Sequence, residues 1–167
     1  MRQVGDGVDL DTSVGYLLKM AATALRLAMQ DALQPLGMTV THYSCLELLS
    51  QRPGLSNSQL ARGAFVTRQS MNVLLQALER DGDVARPSEA RVGRALPARL
   101  TPKGRQRLQV ATAAVRDVEV KMLARLTDVE QAAAHRALQG MVEALRACLR
   151  SHALSQSTIE ARTMPPR

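Results

Sequence analysis

Val66-Thr67-Arg68-Gln69-Ser70-Met71-Asn72-Val73-Leu74-Leu75-Gln76-Ala77-Leu78-Glu79-Arg80-Asp81-Gly82 is the stretch on which the rest of the chain turns. Met71, Leu74, Leu75 and Leu78 recur at helical spacing, so a helix gathers them into one buried stripe. Thr67 suits the N-cap, because its hydroxyl oxygen can accept an N–H that the first turn leaves without a partner. Gly82 suits the left-handed residue that stops the helix. The first turn then presents Arg68, Gln69, Ser70 and Asn72 largely outward, and such side chains hydrogen-bond base edges and phosphates. An ordinary solvated helix face is the competing reading, and the surroundings decide between the two.

Upstream, Ser56 and Gln59 fit a capping box that opens a short helix, with Leu60 and Ala61 on its buried face. Gly63-Ala64-Phe65 connects it to the next helix. Before it, Thr41 is expected to cap a helix through about Ser50, with Leu46 and Leu49 inward, closed by the turn Gln51-Arg52-Pro53-Gly54. Downstream, Val84-Ala85-Arg86 and Ala95 to Leu100 read as two short strands of a hairpin. Pro97 has no N–H, so the second strand is an edge there. Arg86, Arg91, Arg94, Arg99, Lys103, Arg105 and Arg107 lie in and after this hairpin, with Glu89 the one acid among them. This directional basic run suits phosphate and minor-groove contact, with Arg91 and Arg94 near the tip. A short helix, a turn, a helix with a polar first turn and a basic hairpin together favour double-stranded DNA as the partner.

Long helices flank this middle. The first runs from Asp11 or Thr12 to about Pro35, with Val14, Leu18, Ala21, Leu25, Met29 and Leu33 on one face. Thr101 caps the next, Pro102 takes its first position, and Leu108, Ala111, Val115, Val118 and Met122 share a face to about Leu126. Thr127 to Glu130 is a second capping box. The last helix carries Leu138, Met141, Leu145 and Cys148 or Leu149, and the Ser-, Thr- and Pro-containing end reads as a frayed tail. The terminal helices have more apolar surface than the small middle can cover, which favours a homodimer over an intramolecular bundle. The expected fold is mainly α with a small β-wing: a winged helix-turn-helix of about six helices, the dimer built from the N- and C-terminal helices. The expected division is a flexible arm (1–11), a dimerisation helix (12–36), the DNA-binding domain (37–101), dimerisation helices (102–150) and a flexible tail (151–167).

Composition agrees. Tyr16, Tyr43 and Phe65 are the only aromatics of 167 residues, so the core is Leu, Val, Ala and Met, which suits helix packing. The net charge of +7 suits a polyanionic partner, nucleic acid or an anionic membrane surface, with a solvated basic surface as the other reading. No signal peptide is evident, and no segment approaches the roughly 20 apolar residues that span a bilayer, so no membrane partner is expected and a cytoplasmic location is. Cys45 and Cys148 fit no disulfide framework or zinc pattern. His42 and Cys45 are three apart, but two residues are too few for a metal site. Both cysteines sit among apolar residues, which disfavours a redox-sensing thiol. No cofactor motif and no nucleophile paired with a base is present, which disfavours an enzyme.

The helix-turn-helix from Leu60 to Arg80, its Leu78-Glu79-Arg80-Asp81-Gly82 ending and the hairpin closing in Leu100-Thr101-Pro102-Lys103-Gly104 resemble the MarR family of bacterial transcription regulators. The resemblance covers roughly Val14 to Leu149. It implies a homodimeric winged helix, more often a repressor, on a pseudo-palindromic operator. Thr67, Arg68, Gln69, Ser70 and Asn72 would enter the major groove, and Arg91 and Arg94 the flanking minor groove. Small phenolic or lipophilic effectors often relieve binding in this family. Tyr16, His42 and Tyr43 are the candidate effector-binding residues, since they can hydrogen-bond a phenolate or carboxylate in an apolar cleft; packing with a satisfied polar tip is the other reading. Two positions depart from the family pattern. Val92 stands where the wing usually carries Asp, and Asp83 where an apolar residue usually follows the glycine. Two rival functions remain: a winged helix kept only for dimerisation, and a thiol-based redox regulator.

Overall fold

The computed structural model describes residues 9–85 and 98–163, with side chains described through residue 150. Two compact units, Met1–Met122 and Leu123–Arg167, are described separately.

The first unit contains α1 (Val14–Leu33), a 3-10 turn (Gln34–Leu36), α2 (Val40–Gln51), α3 (Asn57–Gly63), α4 (Arg68–Arg80), β1 (Val84–Ala85), β2 (Arg99–Leu100) and α5 (Pro102–Leu123), which ends at the unit boundary. The second unit is built on α6 (Asp128–Thr163). The fold is mainly α with a two-stranded antiparallel sheet, as expected. β1 and β2 pair Val84 with Leu100 and Ala85 with Arg99. The stretch between them, residues 86–97, and with it the expectations for Arg86, Arg91, Val92, Arg94 and Pro97, lies outside the described residues.

Three helix starts and one end correct the sequence reading or sharpen it. α1 begins after Ser13, whose side chain accepts the Tyr16 N–H, and not after Asp11 or Thr12. α2 begins after Thr39 and not Thr41, because the Thr39 hydroxyl accepts the His42 N–H at 3.1 Å. α3 carries the capping box of Ser56 and Gln59. At the other end of the chain, α6 continues to Thr163 through residues expected to be a flexible tail.

α4 ends as a left-handed glycine requires. Gly82 has φ 73°, its N–H donates to the Glu79 carbonyl, and the Asp83 N–H donates to the Leu78 carbonyl. α3 ends with the same pair of bonds, from Phe65 to Arg62 and from Val66 to Ala61. There the left-handed position is taken by Phe65, at φ 57°, where a side chain is strained.

The core joins Leu33, Leu46, Leu60, Met71, Leu78 and Leu108, all at most 6% exposed. Each apolar stripe expected for α2, α3 and α4 is buried. On α1 only Leu33 is buried, while Val14, Leu17, Leu18 and Met20 stay exposed. On α6 Leu138, Val142, Leu145 and Leu149 are exposed. Cys45 is buried, whereas Cys148 is exposed, contrary to the expectation that both cysteines sit among apolar residues. Among the described residues no helix is long and apolar enough to cross a membrane.

Candidate nucleic-acid interface

α4 is seated on α3, which itself packs on α2. Gly63 of α3 lies so near Leu48 of α2 that a Cβ there would stand 2.8 Å from its Cδ1, so these helices meet closely. The Asn57 side-chain amide at the start of α3 donates to the Arg68 carbonyl in the first turn of α4, at 3.4 Å. Met71, Leu74, Leu75 and Leu78 then hold α4 on the core by one face.

At about 100° per residue, the direction opposite that stripe is occupied by Gln69, Val73, Gln76 and Arg80, with Asn72 beside them and Arg68 further round. All six are exposed. Thr67 accepts the Ser70 N–H at 3.0 Å, and its hydroxyl lies 2.9 Å from that of Ser70. Ser70 is exposed but sits to the side of the outward line, partly engaged in the cap. The structure thus brings Gln69 and Asn72 together on the face turned from the core, and places Thr67 and Ser70 at its N-terminal rim. Val73 and Gln76 were missed in the sequence. Their signal was the spacing of four and seven residues from Gln69.

The wing base rests on a charge pair. Asp83 follows Gly82, is 0% exposed, and is ion-paired with Arg107 of α5. Its other oxygen, Oδ1, is buried with no hydrogen-bond partner. The Thr101 hydroxyl donates toward the Gly82 carbonyl at 2.7 Å and caps α5 by accepting the Gly104 N–H at 3.0 Å. A Cβ on Gly104 would stand 2.0 Å from the Asp83 carbonyl oxygen, so only glycine admits this approach. The departure at Asp83 is therefore a buried polar joint between α4, β1 and α5.

This joint reassigns part of the basic run. Arg107 neutralises Asp83, Lys103 Nζ donates to the Asp81 carbonyl at 2.6 Å, and Arg105 donates to the Leu100 carbonyl at 3.0 Å. These three cations secure the wing base; Arg99 is exposed on β2.

Among the described residues, the three effector candidates are not gathered in one cavity. Tyr16 lines a groove made by α1 alone, with Lys19, Met20, Thr23, Ala24 and Leu27. His42 is half-buried; burial lowers its pKa from the ordinary value, Arg107 adds to this, and Asp81 and Asp83 oppose it. Burial raises the Tyr43 phenol above its ordinary value, the Thr112 hydroxyl opposes this and the Glu47 carboxylate adds to it. Tyr43 packs on the edge of the core. Two cavities were not foreseen. A cleft of about 710 Å³ lies between Arg26 and Gln30 of α1, the cap residue Thr39 and Ser44 of α2, and Phe65 in the α3–α4 turn. An apolar groove of about 660 Å³ runs between Ala21, Leu25 and Ala28 of α1 and Val118 and Met122 of α5. Among the described residues no group of three or more His, Cys, Asp or Glu side chains is suited to a metal ion.

Comparison with known proteins bears on this geometry. The profile described as the MarR family matches residues 36–95, which span α2, α3, α4 and β1. The HTH-type transcriptional repressor Rv2887 of Mycobacterium tuberculosis is 47% identical over 125 residues, 75% of this chain and 90% of the relative. The crystal structure of that MarR family protein with salicylic acid superposes with a TM-score of 0.68 at 43% identity, covering 83% of this chain and 99% of the other. Its complex with DNA gives a TM-score of 0.67 at 44% identity, covering 78% and 98%.

Proposed function

The chain belongs to the MarR family, and from that premise we propose that it is a repressor that binds a pseudo-palindromic operator as a homodimer, in the cytoplasm, and is released by a small aromatic acid. The observation that carries the reading is the outward face of α4. Gln69 and Asn72, beside Arg68, stand opposite the buried stripe on a helix that packs on α3. Amide side chains pair with adenine N6 and N7, and Arg with guanine O6 and N7. Thr67 and Ser70 at the rim reach phosphate, and Arg91 and Arg94 of the wing enter the flanking minor groove.

Two uncovered apolar faces support the homodimer. Val14, Leu17, Leu18 and Met20 on α1, and Leu138, Val142, Leu145 and Leu149 on α6, are exposed in the single chain. A second copy covers them and sets two α4 helices about 34 Å apart, one turn of DNA.

The cleft beside Phe65 is the effector site this reading favours. Arg26 supplies a cation for a carboxylate, Thr39 and Ser44 supply hydroxyls, and Phe65 an aromatic face. Tyr16, His42 and Tyr43, the effector residues expected from the sequence, do not line this cleft. A relative has been crystallised with salicylic acid and with p-aminosalicylic acid. A ligand between α1 and the α3–α4 turn bears on the start of α4, and a difference of about 1–3 kcal/mol between its affinities for the two arrangements suffices to release DNA.

A mobility-shift assay of the full chain on the DNA upstream of its own gene, repeated with salicylate, tests this. Retarded DNA that salicylate frees is expected. No retardation at low salt removes the operator reading and leaves a dimerisation module.

A further inference from the structure

Val73 sits where a solvated helix has least use for it. It is 59% exposed, in the middle of the face of α4 that points away from the core. As a β-branched residue it loses side-chain freedom in a helix, and Gln, Lys or Arg would be favoured at an exposed position. Its neighbours along the face are Gln69, one turn before, and Gln76, one turn after, both exposed. From Gln69 to Gln76 the helix rises about 10 Å, the length of about three base-pair steps. The isopropyl group is thus the apolar centre of a line whose two ends are amides.

We propose that Val73 reads the 5-methyl group of a thymine in the major groove, so that each operator half-site prefers thymine at the step between those read by Gln69 and Gln76. This rests on the DNA-binding reading above and names a specificity determinant within it. The chemistry is selective. Val carries no donor or acceptor, and of the four bases in the major groove only thymine offers a methyl group. Cytosine carries only a C–H at that carbon, and guanine and adenine have no methyl there, so none of the three gives the isopropyl group an equal apolar contact.

The test is a deoxyuridine scan. A duplex is selected from a randomised pool on the full-length protein, and each thymine is then replaced singly by deoxyuridine, which removes only the methyl. For the wild type, one position in each half-site is expected to lose about fourfold in affinity, the factor that burial of one such group carries. Val73→Ala keeps an exposed helical position and folds, as circular dichroism checks. It is expected to bind the thymine duplex about fourfold more weakly and to be indifferent to deoxyuridine at that position alone. If wild type and Val73→Ala show the same sensitivity at every thymine, the proposal is overturned while DNA binding stands. If the pool yields no retained duplex, the DNA-binding reading fails and this inference with it.

Discussion

The buried carboxylate of Asp83 and the guanidinium of Arg107 tie the end of α4 to the second turn of α5. Removing Arg107 alone strands a charge in the core. Arg107→Met should cost about 2–3 kcal/mol, less than for a fully enclosed pair because Arg107 is 30% exposed. The double variant Asp83→Leu/Arg107→Met should recover most of that loss, since an apolar pair has no desolvation cost. Urea unfolding of the three proteins checks this; an additive double variant would contradict it.

Phe65 is strained without compensation from burial, being 93% exposed at φ 57°. Phe65→Gly removes the clash of a left-handed side chain, offset in part by the freedom glycine has when unfolded. The expected gain is about 0.5–1 kcal/mol in thermal or urea unfolding. A loss of stability would show that the ring makes contacts that hold the turn.

Thiol reactivity separates the two cysteines. Burial pushes the Cys45 thiol up to about 12, so it stays protonated and inert in the native protein. Cys148 is exposed. Ellman's reagent at pH 8 should label one thiol per chain at once and the second only in denaturant. Rapid labelling of both in the folded protein would revive the thiol-sensing alternative through Cys45.

His42 gives a pH dependence with a definite sign. Its folded pKa lies below the ordinary 6.5, so the unfolded chain takes up the proton first as pH falls. Stability is unaffected by this group above 6.5, and is lost as pH drops through 6.5 toward the lowered folded value. The urea midpoint of the wild type should fall more between pH 7.5 and pH 5.5 than that of His42→Gln, which cannot titrate. Equal falls would remove His42 from the account.

Most of the fold was legible because its determinants are local. The capping box at Ser56, the cap at Thr67, the stop at Gly82 and the stripe from Met71 to Leu78 are each set within a few residues. The starts of α1 and α2 were misplaced because neighbouring caps compete: Thr39 and Thr41 are equally suited as residue types, and the hydrogen bond to His42 chooses Thr39. The full length of α6 is not legible in the polarity of its end. Residues 151–163 contain neither Gly nor Pro, so nothing in them stops α6, and the prolines come only at Pro165 and Pro166.

The site was legible in part. Asp83 stood out as a departure, but its partner Arg107 lies 24 residues away and read as one more cation in a basic run. Tertiary pairing of that kind leaves no periodicity to find. The outward line of α4 is only half legible, because Val73 and Gln76 lie beyond the polar first turn and carry no local signal beyond their spacing from Gln69. The cleft beside Phe65 draws on α1, α2 and the α3–α4 turn, and no single segment announces it.

The central claim is that the outward face of α4 reads base sequence. The most direct measurement is fluorescence anisotropy of the full-length protein on a selected duplex and on a scrambled one, for the wild type, Gln69→Ala and Asn72→Ala. The account predicts that each variant loses about 1–3 kcal/mol on the selected duplex, roughly 5- to 150-fold, and nothing on the scrambled one. Variants that bind both duplexes as the wild type does would contradict it.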